Sequence, residues 1–322
     1  MVSTRCQTRG FVVECAKNER TLRSGERRLS DFHYGGQAVI EGVMMRGRQS
    51  MAVAVRDPSG EIVLHSEPLS GVIRNSTWQK VPFVRGLLML WDTLVLGTRT
   101  LMYSANVALS EEDVELTTPA LVGTLLFSLT VAIGLFFVLP LVVVGFLDRF
   151  ITSDLLSNLL EGAVRLTVLV LYLALIGLVP DVKRVFSYHG AEHRTINAYE
   201  RGAPLDVEGV GSYSTAHTRC GTSFLLIVVF ISVLFFAFLG RPPIVWRIMT
   251  RILLVPLIAS ISYEIVRFSA NHSSNPLVRA FIVPGMALQS LTTREPDESM
   301  IEVAIAALRP VLAADGVTEV AE

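Results

Sequence analysis

The chain has 322 residues, 51% of them hydrophobic, a formal net charge of −1 and a mean hydropathy of +0.50. A balance this close to neutral gives no footing for nucleic acid as a partner, and the odd set Cys6, Cys15 and Cys220 gives no disulfide framework. The apolar fraction barely exceeds that of a soluble domain, so its distribution along the chain carries the argument.

Residues 1–33 are polar and basic (Arg5, Arg9, Lys17, Arg20, Arg23, Arg27, Arg28). They read as a flexible cytosolic tail, without the apolar segment of a cleavable signal peptide. Residues 34–80 read as a small β hairpin or sheet unit. An apolar run over 37–45 opens with Gly35 and Gly36, and strands over 51–56 and 61–65 flank the turn sequence Asp57-Pro58-Ser59-Gly60. So small a unit should pack on something else.

Residues 81–110 hold a long helix, with Pro82 suited to its first turn. Arg85, Asp92, Arg99 and Asn106 recur every seven residues and make one narrow polar seam. Two placements fit: an interfacial helix with its stripe in water, or a helix packed into the bundle with its seam on a polar cavity. Residues 116–268 read as a four-helix membrane region. Leu116 to Leu147 contains no charge, longer than the ~20 residues needed to cross a bilayer. A second full-length run covers 220–240, and shorter runs over 166–179 and 252–263 are flanked by Arg165, Arg247 and Arg251, which can snorkel. Basic residues in the 181–219 loop and an acidic 148–165 connection place both termini and the loop in the cytosol by the positive-inside rule. Arg241, Arg247 and Arg251, near the outer turn, oppose that assignment. Residues 269–322 form a C-terminal cytosolic segment. In it 293–298 opens a short amphipathic helix, with a Thr cap, Pro and early acids, whose apolar positions are Met300, Val303, Ala304, Ala307 and Leu308. The expected fold class is thus mainly α: a polytopic membrane protein of about four transmembrane helices, a small N-terminal β unit and a long polar-seamed helix.

The chemistry concentrates in the 181–219 loop, in His189-Gly190-Ala191-Glu192-His193. Two imidazoles at i and i+4 share a helix face and can grip one metal ion, and the glutamate can act as base on a bound water. A third protein ligand would leave one position to water. His217, Cys220 and Glu264 are the candidates, His217 slightly ahead because His217-Thr218-Arg219-Cys220 has a metal-like spacing. Cys220 is either a ligand as well or a buried thiol opening the third span. Glu200, about 10 Å along the helix from His193, is too far to share the ion. Arg194 and Arg219 are positioned in sequence to hold developing negative charge. His33, His65 and His272 read as ordinary loop and hairpin residues. The implied cofactor is a divalent metal, Zn²⁺ by ligand type. The implied partners are the lipid bilayer and a peptide or lipid substrate, and a homo-oligomer is compatible with the sequence.

Several stretches carry a resemblance: GGQAVIEGVMMRG (35–47), VRGLLMLWDTLVLGTRTLMYSAN (84–106), YHGAEHRTINAYE (188–200), HTRCGTSFL (217–225), SYEIVRF (262–268) and PGMALQSLTTREPDE (284–298). Together they resemble the YqhQ-like family of bacterial membrane proteins, a domain of unknown function described as a predicted metal-dependent enzyme. Arg194 stands where many relatives are expected to carry lysine. The resemblance draws attention to 35–47. There Gln37, Glu41 and Arg46 are either substrate-facing, on a β element covering the metal site or adding a peptide strand, or parts of a strand with a buried ion pair. Three functions follow as expectations. The first is a membrane metal-dependent hydrolase, protease-like, with Glu192 as base. The second is a scaffold or assembly factor with a closed structural metal site. The third is a transporter using Glu264, Arg85 and Asp92.

Overall fold

The computed structural model describes residues 32–69, 77–110, 118–272 and 275–317; Cys6, Cys15 and nearly all of the basic tail lie outside them. The N-terminal unit is a four-stranded antiparallel sheet in the order β1 (Gly35–Val39), β2 (Gly42–Arg46), β3 (Ser50–Arg56) and β4 (Ile62–Pro68). The apolar run over 37–45 is therefore two strands. Its turn passes through Glu41, whose φ of 50° is rare for a residue with a side chain. Gly42 follows because a Cβ there would lie 2.2 Å from the Ala54 carbonyl oxygen. The run lacks alternation because both faces of the sheet are covered.

One face, carrying Val43, Met45, Ala52 and Ala54, packs on α5 (Pro180–Glu200) and α11 (Glu298–Ala314). Helix α11 is longer and more buried than a surface amphipathic helix. Val311 and Leu312 join the expected apolar set in the core, and the cap is Asp297, whose carboxylate accepts the Met300 N–H, rather than Thr293. The other face of the sheet, with Met44, Met51, Val53 and Val55, packs on Leu96 of α1 (Val84–Ala108). The polar seam of α1 meets protein: Arg85 pairs with Glu264, Asp92 with Arg46 and Arg99 with Glu67. Its opposite side leaves Trp91 and Leu94 about two-thirds exposed.

The rest is helical. Helix α2 (Thr118–Ile133) runs through a π turn (Gly134–Val138) into α3 (Leu139–Leu147), followed by α4 (Asp154–Ile176). The π turn leaves the Phe136 carbonyl to Arg165 Nε, 2.9 Å away. Beyond α5 come α6 (Val207–Gly211), α7 (Gly221–Ala237), α8 (Ile244–Leu253), α9 (Val255–Asn271) and α10 (Pro276–Gln289). Among the described residues two helices are long and apolar enough to cross a membrane, Val122–Phe150 and Asp154–Ile176, with a third if α8 and α9, bent by 41°, count as one. The chain is thus mainly helical, and the expected four spans reduce to two or three by length and composition. The run over 220–240 becomes a helix of only 17 residues. The expected 148–165 connection is largely helix: α4 starts at Asp154 and carries Glu161 and Arg165 inside it, because their charges neutralise each other one turn apart.

Candidate metal centre

Helix α5 carries His189 and His193 into the layer between the sheet and the C-terminal segment. It gets there because Gly190 has no side chain. A Cβ at that position would lie 2.0 Å from the Arg294 carbonyl oxygen. At this seam the Arg294 N–H donates to the Phe186 carbonyl, and the Thr292 carbonyl oxygen lies 2.9 Å from His189 Nδ1. On the other side the 212–219 loop folds back over α5. The Asn197 amide donates to the Ser214 and Ala216 carbonyls, and His193 Nδ1 lies 2.6 Å from the Thr215 carbonyl. Both imidazoles therefore donate from Nδ1 to a backbone carbonyl, which leaves both Nε2 atoms for partners inside the site.

Cys220 supplies the third group. It caps α7, its sulfur accepting the Thr222 N–H at 3.4 Å, and Sγ lies 3.3 Å from His189 Nε2. One ligand atom from each of His189, His193 and Cys220 falls within 4.8 Å of the others. Two ligands of a tetrahedral zinc, at ~2.3 Å for sulfur and ~2.0 Å for nitrogen, lie roughly 3.5 Å apart, a separation that the Cys220–His189 pair matches and that is shorter than the 4.8 Å limit on the set. Burial pushes the Cys220 thiol up, but its hydrogen bonds with His189 and His193 outweigh that and bring it down to about 4. Burial pulls His189 down, and its contact with the Cys220 sulfur lifts it to about 9. The pair favours a thiolate, the form of cysteine that binds metals.

Glu192 is buried, with Oε2 3.5 Å from His193 Nε2. It fits because β1 offers Gly36 there: a Cβ on Gly36 would meet Glu192 Cγ at 2.8 Å and the Met44 carbonyl at 2.5 Å. On its other side β1 faces a cleft of about 310 Å³ against α1, lined by Gly36, Gln37, Met44, Arg46, Met89 and Leu96.

Of the five residues expected around the ion, His189, His193 and Cys220 stand together, while His217 and Glu264 stand apart from them. His217 is one ring further out, 5.5 Å from the His193 ring centroid. Its backbone is clamped at both N–H and C=O by the Gln289 side chain, and its buried Nε2 is 3.7 Å from Glu200 with no hydrogen bond. Glu264 is committed elsewhere, its carboxylate accepting from Arg85 and the Phe83 N–H. Glu200 pairs with Arg219, and Arg194 with Glu295. Gln37 packs on Gly97 and lines the cleft, as does Arg46 beside Asp92, but Glu41 points away to Arg184 and Tyr188. The Thr215 and Thr292 carbonyls carry no sequence signal. Gly190, inside the motif, did.

A mainly helical protein with membrane-length helices, an N-terminal antiparallel sheet and a His/His/Cys group, buried at His193 and Cys220 and partly buried at His189, is the class so defined. The family model described as "Protein of unknown function (DUF1385)" matches residues 81–314, and the chain belongs to that family. It is similar to "Uncharacterized protein YqhQ" of Bacillus subtilis (strain 168), at 29% identity over 301 residues, which cover 89% of this chain and 94% of that one. No solved structure matches.

Proposed function

We propose that the protein is a membrane-embedded metal-dependent hydrolase, protease-like, whose site holds a divalent ion, Zn²⁺ by donor type, between His189, His193 and Cys220. The observation that carries this reading is the convergence of two Nε2 atoms and one Sγ, with each Nδ1 tied to a backbone carbonyl. Ligating histidines are characteristically oriented by such a second hydrogen bond. Three protein groups leave a coordination position open, the pattern of catalytic rather than structural zinc. When bound, the ion supplies Lewis acidity. Glu192 takes the proton of the attacking water on its carboxylate and returns it to the leaving group. Gly36 and the buried wall of β1 hold that carboxylate in place and limit the entry of bulk water.

Four crossings fit the packing best. The N-terminal sheet and α11 pack on each other and on α5, so both ends of the described chain lie on one face. An even number of spans before and after α5 satisfies that: α2–α3 with α4, then α7 with α8–α9. We place this face in the cytosol, with the site beside the bilayer and a peptide or lipid as substrate.

Metal analysis of the purified protein beside a His189→Ala, His193→Ala variant tests the site, and equal metal in both would sink it. Glu192→Gln should bind metal normally and lose the function; full function would exclude Glu192 as base. A second reading, a cysteine nucleophile activated by His189, is favoured by the position of Cys220 at the N-terminus of α7. Alkylation of Cys220 would inactivate the protein under either reading, and indifference to chelators is the result that favours this one.

A further inference from the structure

The membrane helices hold a second charged cluster that the proposed hydrolase site does not use. Glu161, 1% exposed, accepts from three guanidinium groups: Arg165 Nη2 at 2.7 Å, Arg247 Nη2 at 3.0 Å, and Arg251 Nε and Nη2 at 3.2 and 3.1 Å. Around it Asp148 accepts from Ser157 and Arg247, Asn158 accepts from Arg251, and Arg241 pairs with Asp148 and Asp154. Arg165 also reaches the Phe136 carbonyl and the Ser232 hydroxyl, and both Arg165 and Arg251 lie over the Phe236 ring.

Two features of this cluster are out of balance. The first is charge. Arg165, Arg241, Arg247 and Arg251 face Asp148, Asp154 and Glu161, which leaves one positive charge over. The second is hydrogen bonding. Arg247 Nε and Arg251 Nη1 are buried donors with no hydrogen-bond partner among the described residues, on side chains whose residues are 4% and 0% exposed. Glu161 lies about 10 Å along α4 from its first residue, at ~1.5 Å per residue. An unneutralised cation at that depth between apolar helices is costly, and a missing partner is costlier still. Both imbalances are removed by one added group, an anion with several acceptor oxygens.

We propose that Arg247 and Arg251, with Arg165 behind them, form a binding site for a phosphate-type oxyanion at the membrane end formed by α3, α4 and α8. Guanidinium forks match such oxygens in geometry as well as charge. The half-buried Asp148 and Arg241 mark where the cluster reaches the surface, at the level where α3 ends and α4 begins. The oxyanion comes either from a lipid headgroup in that leaflet or from free phosphate in solution.

The test uses the full chain in phosphate-free detergent, with the unfolding midpoint read from tryptophan fluorescence. Inorganic phosphate is titrated in one arm, phosphatidylglycerol in a second and phosphatidylcholine in a third. A saturable rise with phosphatidylglycerol alone assigns the site to an anionic lipid, and a rise with inorganic phosphate as well assigns it to a free oxyanion. Arg247→Met should weaken the effective ligand at least tenfold. Glu161→Gln removes the competing carboxylate and should tighten it several-fold, although it lowers the midpoint without ligand. That opposite response separates an anion site from a purely structural salt-bridge network, and it is available even if Arg247→Met does not fold. No saturable response to phosphate or phosphatidylglycerol, a response equal to that of phosphatidylcholine, or a Glu161→Gln affinity at or below wild type would overturn the proposal.

Discussion

Gly190→Ala sets a helix-propensity gain against a steric loss at the centre of the motif. In an open helix, alanine for glycine gains about 1 kcal/mol. Here the new Cβ would meet the Arg294 carbonyl oxygen at 2.0 Å, and ordinary contact begins at 3.4 Å, so α5 and the 292–295 segment must part by more than 1 Å. The obstacle is backbone and cannot rotate away. Overpacking costs about 1–3 kcal/mol, and two hydrogen bonds across the same seam, Arg294 N–H to Phe186 and His189 to Thr292, are each worth about 1 kcal/mol. The expected net loss is about 3 kcal/mol, with a fall in unfolding midpoint of about 4 °C for a chain of this length. The same opening releases His189 Nδ1, and losing such a support typically lowers metal affinity about 10–100-fold. Gly145→Ala is the control, because nothing lies within 4 Å of a Cβ there, and it should be neutral or slightly stabilising. A Gly190→Ala protein that unfolds at or above the wild-type temperature would refute the reasoning, whatever its metal content.

Three further outcomes are expected. Glu264→Gln should leave metal content unchanged, because the carboxylate is held by Arg85 and the Phe83 N–H; loss of metal would place Glu264 in the site. Gln289→Leu strips partners from both the N–H and the C=O of His217, all of them buried, and should cost about 2–4 kcal/mol. Gln289→Glu keeps the acceptor and should fall between the two, so a leucine variant as stable as wild type would exclude the clamp. Burial raises Glu200, but the His217 ring 3.7 Å away and the charge of Arg219 outweigh it and hold the carboxyl below its ordinary 4.5. A depressed folded value stabilises above the unfolded one. The stability difference between wild type and Glu200→Gln should therefore be full above pH 4.5 and shrink as pH falls below it. A difference that grows on acidification would reverse the sign of the argument.

The sequence made the helices and the α5 histidines readable because both follow a periodicity. The runs over 84–106 and 116–147 and the i, i+4 spacing of His189 and His193 are properties of neighbours along one chain. The third member of the site was not readable in this way. Cys220 was ranked behind His217 on spacing, yet the fold decides by where α7 begins: as the capping residue Cys220 is turned back toward α5, and His217 is held outward by Gln289 from another helix. The two strands over 35–46 were read as one because the turn between them puts a glutamate at positive φ, where glycine or asparagine is the usual signal. That conformation places Glu41 against Arg184, which ties the turn to the helix bearing the histidines. Glu41 thus ties the β1–β2 turn to the helix that carries the histidines.

The arginines at the far end of the bundle bear on topology by the same logic. Read as charges in a loop, Arg241, Arg247 and Arg251 argue against a cytosolic loop over 181–219. The positive-inside rule, however, concerns cations that meet water and the membrane surface potential. Arg247 and Arg251 are buried on Glu161, and Arg241 is paired with Asp148 and Asp154. Three carboxylates offset all but one of the positive charges in that cluster, so the arginines weigh far less on orientation than their number suggests. In the 181–219 loop Arg184, Arg194 and Arg219 are paired as well, with Glu41, Glu295 and Glu200, so by the same rule the proposed cytosolic placement of α5 rests on Lys183 and Arg201.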